Sequence, residues 1–354
     1  MTEVHFVVPD DIDDPCRPSG GNTYDREVCR ELSSIGWSVR EYPIPGVWPQ
    51  RDAASLAALA EVVQRIPDDA IMLVDGLIAS TAPEVLVPHA RRLRLVVLVH
   101  MLLGHRPGDA PGDARMREHS ALSAGVAVVT TSAWTQRRAL ELYSLPADRV
   151  HVAEPGVEAA EPVTPTGTGG ALLCVAAVSF EKGHDVLLDA LEMISELSWD
   201  CVCVGSLDRD LAFVERARHR VLDGGLRYRV QFPGPRTGAD LDRSYAAADL
   251  IVSASRAETY GMVLTEALAR GLPVVAADVG GVREAIGYGA ARIRPGLLVP
   301  PEDPTALAAA LRVWLGDAGL RGRLRKAARE RRGALSGWSR TASILSDVLA
   351  AVGQ

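Results

Sequence analysis

At 354 residues the chain exceeds what one hydrophobic core usually serves, since cores stop growing near roughly 250 residues, and two domains are expected. Hydrophobic residues at 47% and charged residues at 23% are ordinary globular values, which exclude a largely disordered or fibrous chain. The 38 Lys plus Arg against 45 Asp plus Glu leave a formal charge of −7, which disfavours a dedicated nucleic-acid binder.

No apolar run reaches the ~18 residues of a membrane helix; the best candidate, 93–103, is interrupted by Arg94 and His100. The opening MTEVHFVV reads as a strand and not as a secretion signal, so a cytoplasmic protein is expected. Cys16, Cys29, Cys174, Cys201 and Cys203 show no paired zinc-site spacing and are expected to be reduced, mostly buried thiols.

In chain order, apolar runs at 4–8, 37–42, 71–74, 93–99, 126–130 and 150–153 predict strands. Amphipathic stretches at 24–35 and 53–66, and one capped by Ser132 and running to 143, predict helices between them. Strands so uniformly apolar are buried on both faces, as in a parallel sheet. Residues 155–170, PGVEAAEPVTPTGTGG, have no periodicity and mark a break. The alternation then restarts, with strands at 172–178, 201–204, 230–232 and 250–253 and helices at 183–196, 211–222 and up to 247. Further helices are predicted at 304–315, 320–332 and after Trp338. The resulting division is 1–158, a linker 159–170, and 171–337, with 338–354 packing back on the first domain. Each half is an α/β, doubly wound, Rossmann-like parallel sheet, and ligands are expected at the carboxyl ends of the strands.

The richest stretch is 255–275, SRAETYGMVLTEALARGLPVV. A strand ends before it, a loop carries Glu258, and a helix starts near Gly261 with first-turn amides available to an anion. Glu266 lies about one turn inside, where a carboxylate can accept two ribose hydroxyl bonds. Taken alone, two glutamates read more simply as a surface charge and a residue favoured by the helix dipole. Lys182, in the turn SFEKGH after a strand, and the Pro18-Ser19-Gly20-Gly21-Asn22-Thr23 run after the first strand likewise have plain readings, as a solvated turn and as a glycine turn with Thr23 as N-cap. Paired glycines do let backbone amides approach an anion, although this is no dinucleotide fingerprint. His100 closes an apolar strand. Asp208-Arg209-Asp210 and Asp240-Leu241-Asp242 have D-x-D spacing but lie where helices begin, so no metal is expected.

Together these pieces resemble the retaining group-1 glycosyltransferases, family 4. Glu258 and Glu266 form an E-x7-E pair, 173–191 resembles the strand, Lys-Gly turn and helix that open the family's donor domain, and 249–253, 276–285 and 297–303 follow its pattern in order. The resemblance implies two facing Rossmann-like domains of the B-type glycosyltransferase fold and a hexosyltransferase-type activity. It implies sugar transfer from a UDP-, GDP- or ADP-sugar with retention, with no metal and no cofactor beyond this co-substrate.

By the same resemblance Glu258, His100 and Lys182 are the catalytic candidates. Gly20, Gly21, Asn22, Lys182, Thr259, Tyr260, Gly261, Met262, Val263 and Glu266 are the substrate-binding ones. Asn22 and Asp25 would border the acceptor, with His105 and Arg106 as weaker candidates. An Arg common five residues before the family lysine is here Ala177, and Arg256 or Arg209 could replace it. The acceptor, a small molecule, a glycan or a lipid-linked species, is expected on loops 9–21 and 101–112. The basic stretch 321–332 would permit peripheral membrane contact, although a solvated helix is the simpler reading. A nucleotide-sugar epimerase of the same fold, or a non-catalytic sugar-nucleotide binder, is the alternative.

Overall fold

The computed structural model describes residues 2–105 and 111–353. They form two units: one takes in most of 2–156 together with 336–353, and the other 157–335. The first is built on a six-stranded parallel sheet of β1 (Glu3–Pro9), β2 (Ser38–Ile44), β3 (Ile71–Asp75), β4 (Arg94–Val99), β5 (Ala127–Thr130) and β6 (Val150–Val152), in the order β2-β1-β3-β4-β5-β6. The second uses β7 (Ala171–Val175), β8 (Asp200–Val204), β9 (Val230–Gly234), β10 (Leu250–Ser253), β11 (Val274–Ala277) and β12 (Gly296–Val299), in the order β12-β11-β10-β7-β8-β9, again parallel.

Central strands β3, β5 and β11 are buried along their whole length, whereas edge strands β2 and β9 alternate with exposed positions. That difference follows from helices covering both faces of the sheet while the edges stay open. Each order reverses once, between β1 and β3 in the first sheet and between β7 and β10 in the second. In open parallel sheets the carboxyl ends of the strands at such a reversal are where ligands bind.

Sequence periodicity did not pick out the helix Pro111–Ala124, nor strands β11 and β12, which are only four residues each. The last helix, Trp338–Val352, lies against the first unit: Trp338 meets Tyr24 edge-on at 5.5 Å, Trp37 Nε1 donates to Ser346 Oγ at 2.8 Å, and Thr341 Oγ1 donates to the Glu154 carbonyl at 2.7 Å.

The stretch before β7 has no regular structure yet is firmly held. Asp249, fully buried, accepts from the Thr166 amide at 2.8 Å, the Thr166 hydroxyl, the Ala171 amide at 3.1 Å and Arg325 Nη2 at 3.0 Å. Trp314 Nε1 adds a bond to the Gly169 carbonyl at 2.8 Å. Arg325 belongs to the basic helix Ala318–Arg332, whose cations were expected to be solvated. Arg323, Lys326 and Arg329 are exposed as expected, but Arg321 binds the Trp314 and Leu315 carbonyls, Arg331 that of Ile286, and Arg332 those of Ala269 and Ala160. Cations at the carbonyl ends of neighbouring helices are favoured by the helix dipole.

Removing the acceptor in Asp249→Ala strands several buried donors, one of them charged, and is expected to lower the second unit's stability by about 3 kcal/mol. Denaturant unfolding should show its transition shifted and the first unit's unmoved; an unshifted second transition would mean that this carboxylate does not anchor the stretch.

Candidate functional site

In the second unit the loops after β7 and β10 meet at the reversal of strand order. Lys182 ends a 3₁₀ turn, Phe180–Lys182, and Gly183 follows at φ +65°. A Cβ on Gly183 would lie 2.0 Å from the Ala254 carbonyl oxygen, so only glycine lets this turn close on the end of β10. The contact delivers Lys182 Nζ to Glu258 Oε1 at 2.6 Å, and Ser255 Oγ donates to the same oxygen at 2.8 Å.

The loop after β11 braces Glu258 from behind. The Gly281 amide donates to the Glu258 carbonyl at 3.1 Å, and Gly280, at φ +55°, leaves no room for a Cβ, which would fall 1.6 Å from that oxygen. The sequence piece AADVGGVREA is thus the support of the Glu258 loop.

Arg256, considered as a substitute for the missing Arg at Ala177, is committed elsewhere. Its guanidinium binds Asp185 through Nη1 and Nη2 at 2.9 and 2.8 Å, Glu302 through Nε at 2.8 Å and the Phe180 carbonyl at 2.5 Å, and it stacks on the Phe180 ring at 3.8 Å. Only 10% of that side chain is exposed. Arg256 therefore clamps the Lys182 turn to the Glu258 loop, and its charge is neutralised by two carboxylates. Arg209 stands exposed on the loop after β8, whose Gly205 packs against Ala176 and Ala177.

The helix Met262–Ala269 begins after Gly261, at φ +101°, and no side chain caps it. Its first turn coincides with the stretch 259–263, where the sequence points to an anion site, and Tyr260 in that stretch is buried. Glu266 is half-buried and accepts from Tyr245 Oη at 2.7 Å, a partner with no signal in the sequence. Burial raises the Glu266 carboxyl above its usual range, with the Tyr245 bond and the Arg270 charge opposing and Asp242 adding to the rise. The two D-x-D stretches have the helix-start roles expected for them: Asp210 caps the helix Leu211–Asp223 through the Phe213 amide, and Asp240 lies in the first turn of Gly238–Ala246.

In the first unit the residues after β1, β3 and β4 converge. Gly20 and Gly21 are not loop residues but the first turn of the helix Gly20–Ser34, and its cap is Ser19, not Thr23: Ser19 Oγ accepts from the Asn22 amide at 3.1 Å. Asn22 Nδ2 is engaged with the Asp11 carbonyl at 3.0 Å. Gly21 lies against the His100 ring, where an added Cβ would be 3.3 Å from Cδ2.

His100 Nε2 meets Asp25 Oδ1 at 2.7 Å and Asp75 Oδ2 at 3.4 Å. Asp25 does not border an open acceptor region; it is 1% exposed and one of its oxygens, Oδ2, has no partner among the described residues. Asp75 ends β3 and also caps the next helix through the Leu77 and Ile78 amides. An acid at the carboxyl end of an apolar strand was the available sequence signal for Asp75, and it went unused. Burial alone would lower the His100 pKa, but the Asp25 and Asp75 carboxylates outweigh it and raise it. Burial, reinforced by Asp25, pushes Asp75 up to about 7 against the pull of His100 and the two amides.

Next to this cluster the buried Glu118 accepts from Ser80 Oγ at 3.0 Å, the Leu103 and Gly104 amides at 2.9 and 2.8 Å, and the Tyr143 hydroxyl, anchoring the turn after His100. Arg106 lies outside the described residues, and of His105 only the backbone turn is described.

Residues 158–331 match the family model for glycosyl transferases group 1. The D-inositol 3-phosphate glycosyltransferase of Jonesia denitrificans is 33% identical over 249 residues, covering 63% of this chain and 57% of that protein. That of Xylanimonas cellulosilytica is 33% identical over 267 residues, covering 69% of this chain and 62% of that protein. The chain thus spans about three fifths of the length of these relatives. By structure it is similar to the sucrose-phosphate synthase of Thermosynechococcus elongatus (TM-score 0.82, 21% identity, 99% of both chains). It is also similar to HepE of Anabaena in complex with UDP-glucose (TM-score 0.80, 18% identity, 99% of this chain and 100% of that one). With the Lys182–Glu258 pair and its bracing glycines lying inside the matched segment, the chain belongs to the group 1 glycosyl transferases and carries the two parallel sheets of the B-type glycosyltransferase fold.

Proposed function

We propose that the protein transfers a sugar from a nucleoside-diphosphate sugar to an acceptor hydroxyl, with retention at the anomeric carbon and without a metal ion in the step. The observation that carries this reading is the Lys182–Glu258 pair beside the uncapped helix start at Gly261. Departure of a diphosphate from an oxocarbenium-like centre needs fixed positive charge at the leaving group. The Lys182 ammonium and the first-turn amides of the Met262–Ala269 helix supply it without reorganisation. Lys182 is held by Glu258, and the diphosphate is assigned to the ammonium and the sugar hydroxyls to the carboxylate. Glu266 is assigned to the ribose hydroxyls. In the first unit the Gly20 and Gly21 amides are assigned to phosphate, and His100 to a hydroxyl of the transferred sugar, with Asp25 and Asp75 holding the ring.

The acceptor oxygen attacks the anomeric carbon on the face that the diphosphate leaves. Its proton passes to the departing phosphate oxygen as the new C–O bond forms and the old one breaks. The names of the relatives make D-inositol 3-phosphate the first acceptor to assay, and the UDP and UDP-glucose complexes of a protein of the same fold make UDP-glucose the first donor.

A nucleoside diphosphate at 100 times its Kd should stabilise the protein by about 2.7 kcal/mol, or roughly 5–10 °C for a unit of this size, and do so equally with a chelator present. Thermal shift against UDP, GDP and ADP measures this. Loss of the shift in Glu266→Ala supports the ribose assignment, and no shift with any of the three would remove the donor site as described.

Glu258→Ala should lower kcat by on the order of 100-fold while leaving nucleotide binding within a few-fold. Near wild-type turnover in this variant would end its assignment to the sugar.

The pH dependence of stability follows from the Asp75 and His100 shifts. Both groups hold their proton more tightly folded than unfolded, so the native state binds more protons and stability falls as pH rises. The Asp75 contribution declines from about pH 4, its ordinary range, up to about 7, and the His100 contribution from its ordinary value upward. Denaturant midpoints of the first unit between pH 5 and 8 should fall, and less steeply in Asp75→Asn; a rise would contradict the buried acid–imidazole arrangement.

A further inference from the structure

Beneath the Lys182 turn the second sheet holds a cluster of soft donors that sugar transfer does not use. Cys174 on β7 and Cys203 on β8 are register partners, and His184 is the first residue of the helix His184–Glu192. Cys174 Sγ, Cys203 Sγ and a His184 ring nitrogen all lie within 4.8 Å of one another. Cys201, two residues before Cys203 and therefore on the same face of β8, adds a third thiol, its Sγ 4.0 Å from that of Cys203. Exposure is 3%, 1%, 1% and 0% for Cys174, His184, Cys203 and Cys201, so water serves none of them. Of the His184 ring it is Nε2 that faces the Cys174 sulfur, while Nδ1 is buried with no hydrogen-bond partner among the described residues.

Two of the separations match those of ligands around a single ion, while Cys201 stands outside the group of three that lie within 4.8 Å of one another. Zinc bonds of about 2.3 Å to sulfur and about 2.0 Å to nitrogen place tetrahedral ligands roughly 3.6 Å apart for S and N and roughly 3.8 Å apart for two S. Cys174 Sγ stands 3.7 Å from His184 Nε2, and the Cys201 and Cys203 sulfurs stand 4.0 Å apart. Thiolate and imidazole donors suit zinc, whereas a cluster with no oxygen ligand does not suit magnesium or calcium.

We propose that Cys174, Cys203 and His184, completed by Cys201 through a side-chain rotation, bind one structural zinc ion. Each ligating thiol loses its proton to solvent and the sulfur lone pair forms the metal bond, so no oxidant or reductant takes part. The ion ties β7 and β8 to the helix that starts two residues after Lys182, and so fixes the turn presenting that ammonium. Zinc spacings are ordinarily recognised from cysteines paired along the chain; here parallel strand register brings the donors together, which is why the sequence showed only scattered thiols.

The test uses the full chain expressed in zinc-supplemented and, separately, cobalt-supplemented medium. About one equivalent of zinc per chain should survive gel filtration with a weak chelator. The cobalt form should show thiolate-to-cobalt charge transfer in the near ultraviolet together with the visible bands of a tetrahedral ion. Cys174→Ser and Cys203→Ser should lose both signals, and Cys16→Ser, at an exposed thiol, should keep them. Wild-type protein free of zinc and without the charge-transfer band overturns the proposal, with no dependence on how any variant folds. Metal retained equally in Cys174→Ser also overturns it, by placing the ion elsewhere. Neither readout involves sugar transfer, so the proposed activity stands or falls separately.

Discussion

The second unit depends on the pairing of β7 with β10, strands far apart in the chain that lie side by side through Leu172 with Leu250 and Leu173 with Ile251. This pairing reverses the strand order, and the loops leaving the two strands are thereby pressed together. Gly183 against Ala254 and Gly280 against Glu258 set how closely they approach. Lys182 and Glu258 meet because the three loops after β7, β10 and β11 are locked by backbone contacts that no side chain could tolerate. Arg256 supplies the lateral clamp, with two carboxylates, a carbonyl and an aromatic face all engaged. The result is a cation and a carboxylate held rigidly at strand ends, the condition under which electrostatic stabilisation of a leaving group costs little reorganisation.

Buried carboxylates organise both units, and they differ in how they are satisfied. Asp249 and Glu118 each receive several donors and act as anchors, one for the irregular stretch entering β7 and the other for the turn after His100. Asp25 and Asp75 share the single nitrogen His100 Nε2; Asp75 also accepts two amides, and one Asp25 oxygen has no partner among the described residues. Fully satisfied acids make rigid anchors, whereas two acids and one imidazole form a group whose protonation can change. That contrast separates anchoring acids from those whose protonation can change more clearly than burial does, since all four are buried.

The basic helix Ala318–Arg332 shows how a charge run misleads when read alone. Arg321, Arg325, Arg331 and Arg332 are spent on carbonyls and on Asp249, joining the ends of neighbouring helices and the irregular stretch before β7 to one element. Charge density along a chain does not reveal whether the long side chains reach into solvent or back over the protein.

Residue order alone determined the alternation of strands and helices, the two-sheet organisation, and the E-x7-E, Lys-Gly and Gly-Gly pieces, because apolar periodicity and backbone-permissive glycines are local properties. It also placed Lys182, Glu258, Glu266 and His100 in segments that end strands or begin helices. Tertiary structure decided which of these residues meet. Glu258 pairs with Lys182 and Glu266 with Tyr245; Arg256 is a clamp and not a free cation, and Asp25 turns inward to His100. Cys174, His184 and Cys203 converge through strand register. The division has a physical cause: hydrophobic pattern is written along the chain, whereas the partner of a charged or polar group is selected by strand order and loop closure, which bring together residues that the sequence keeps far apart.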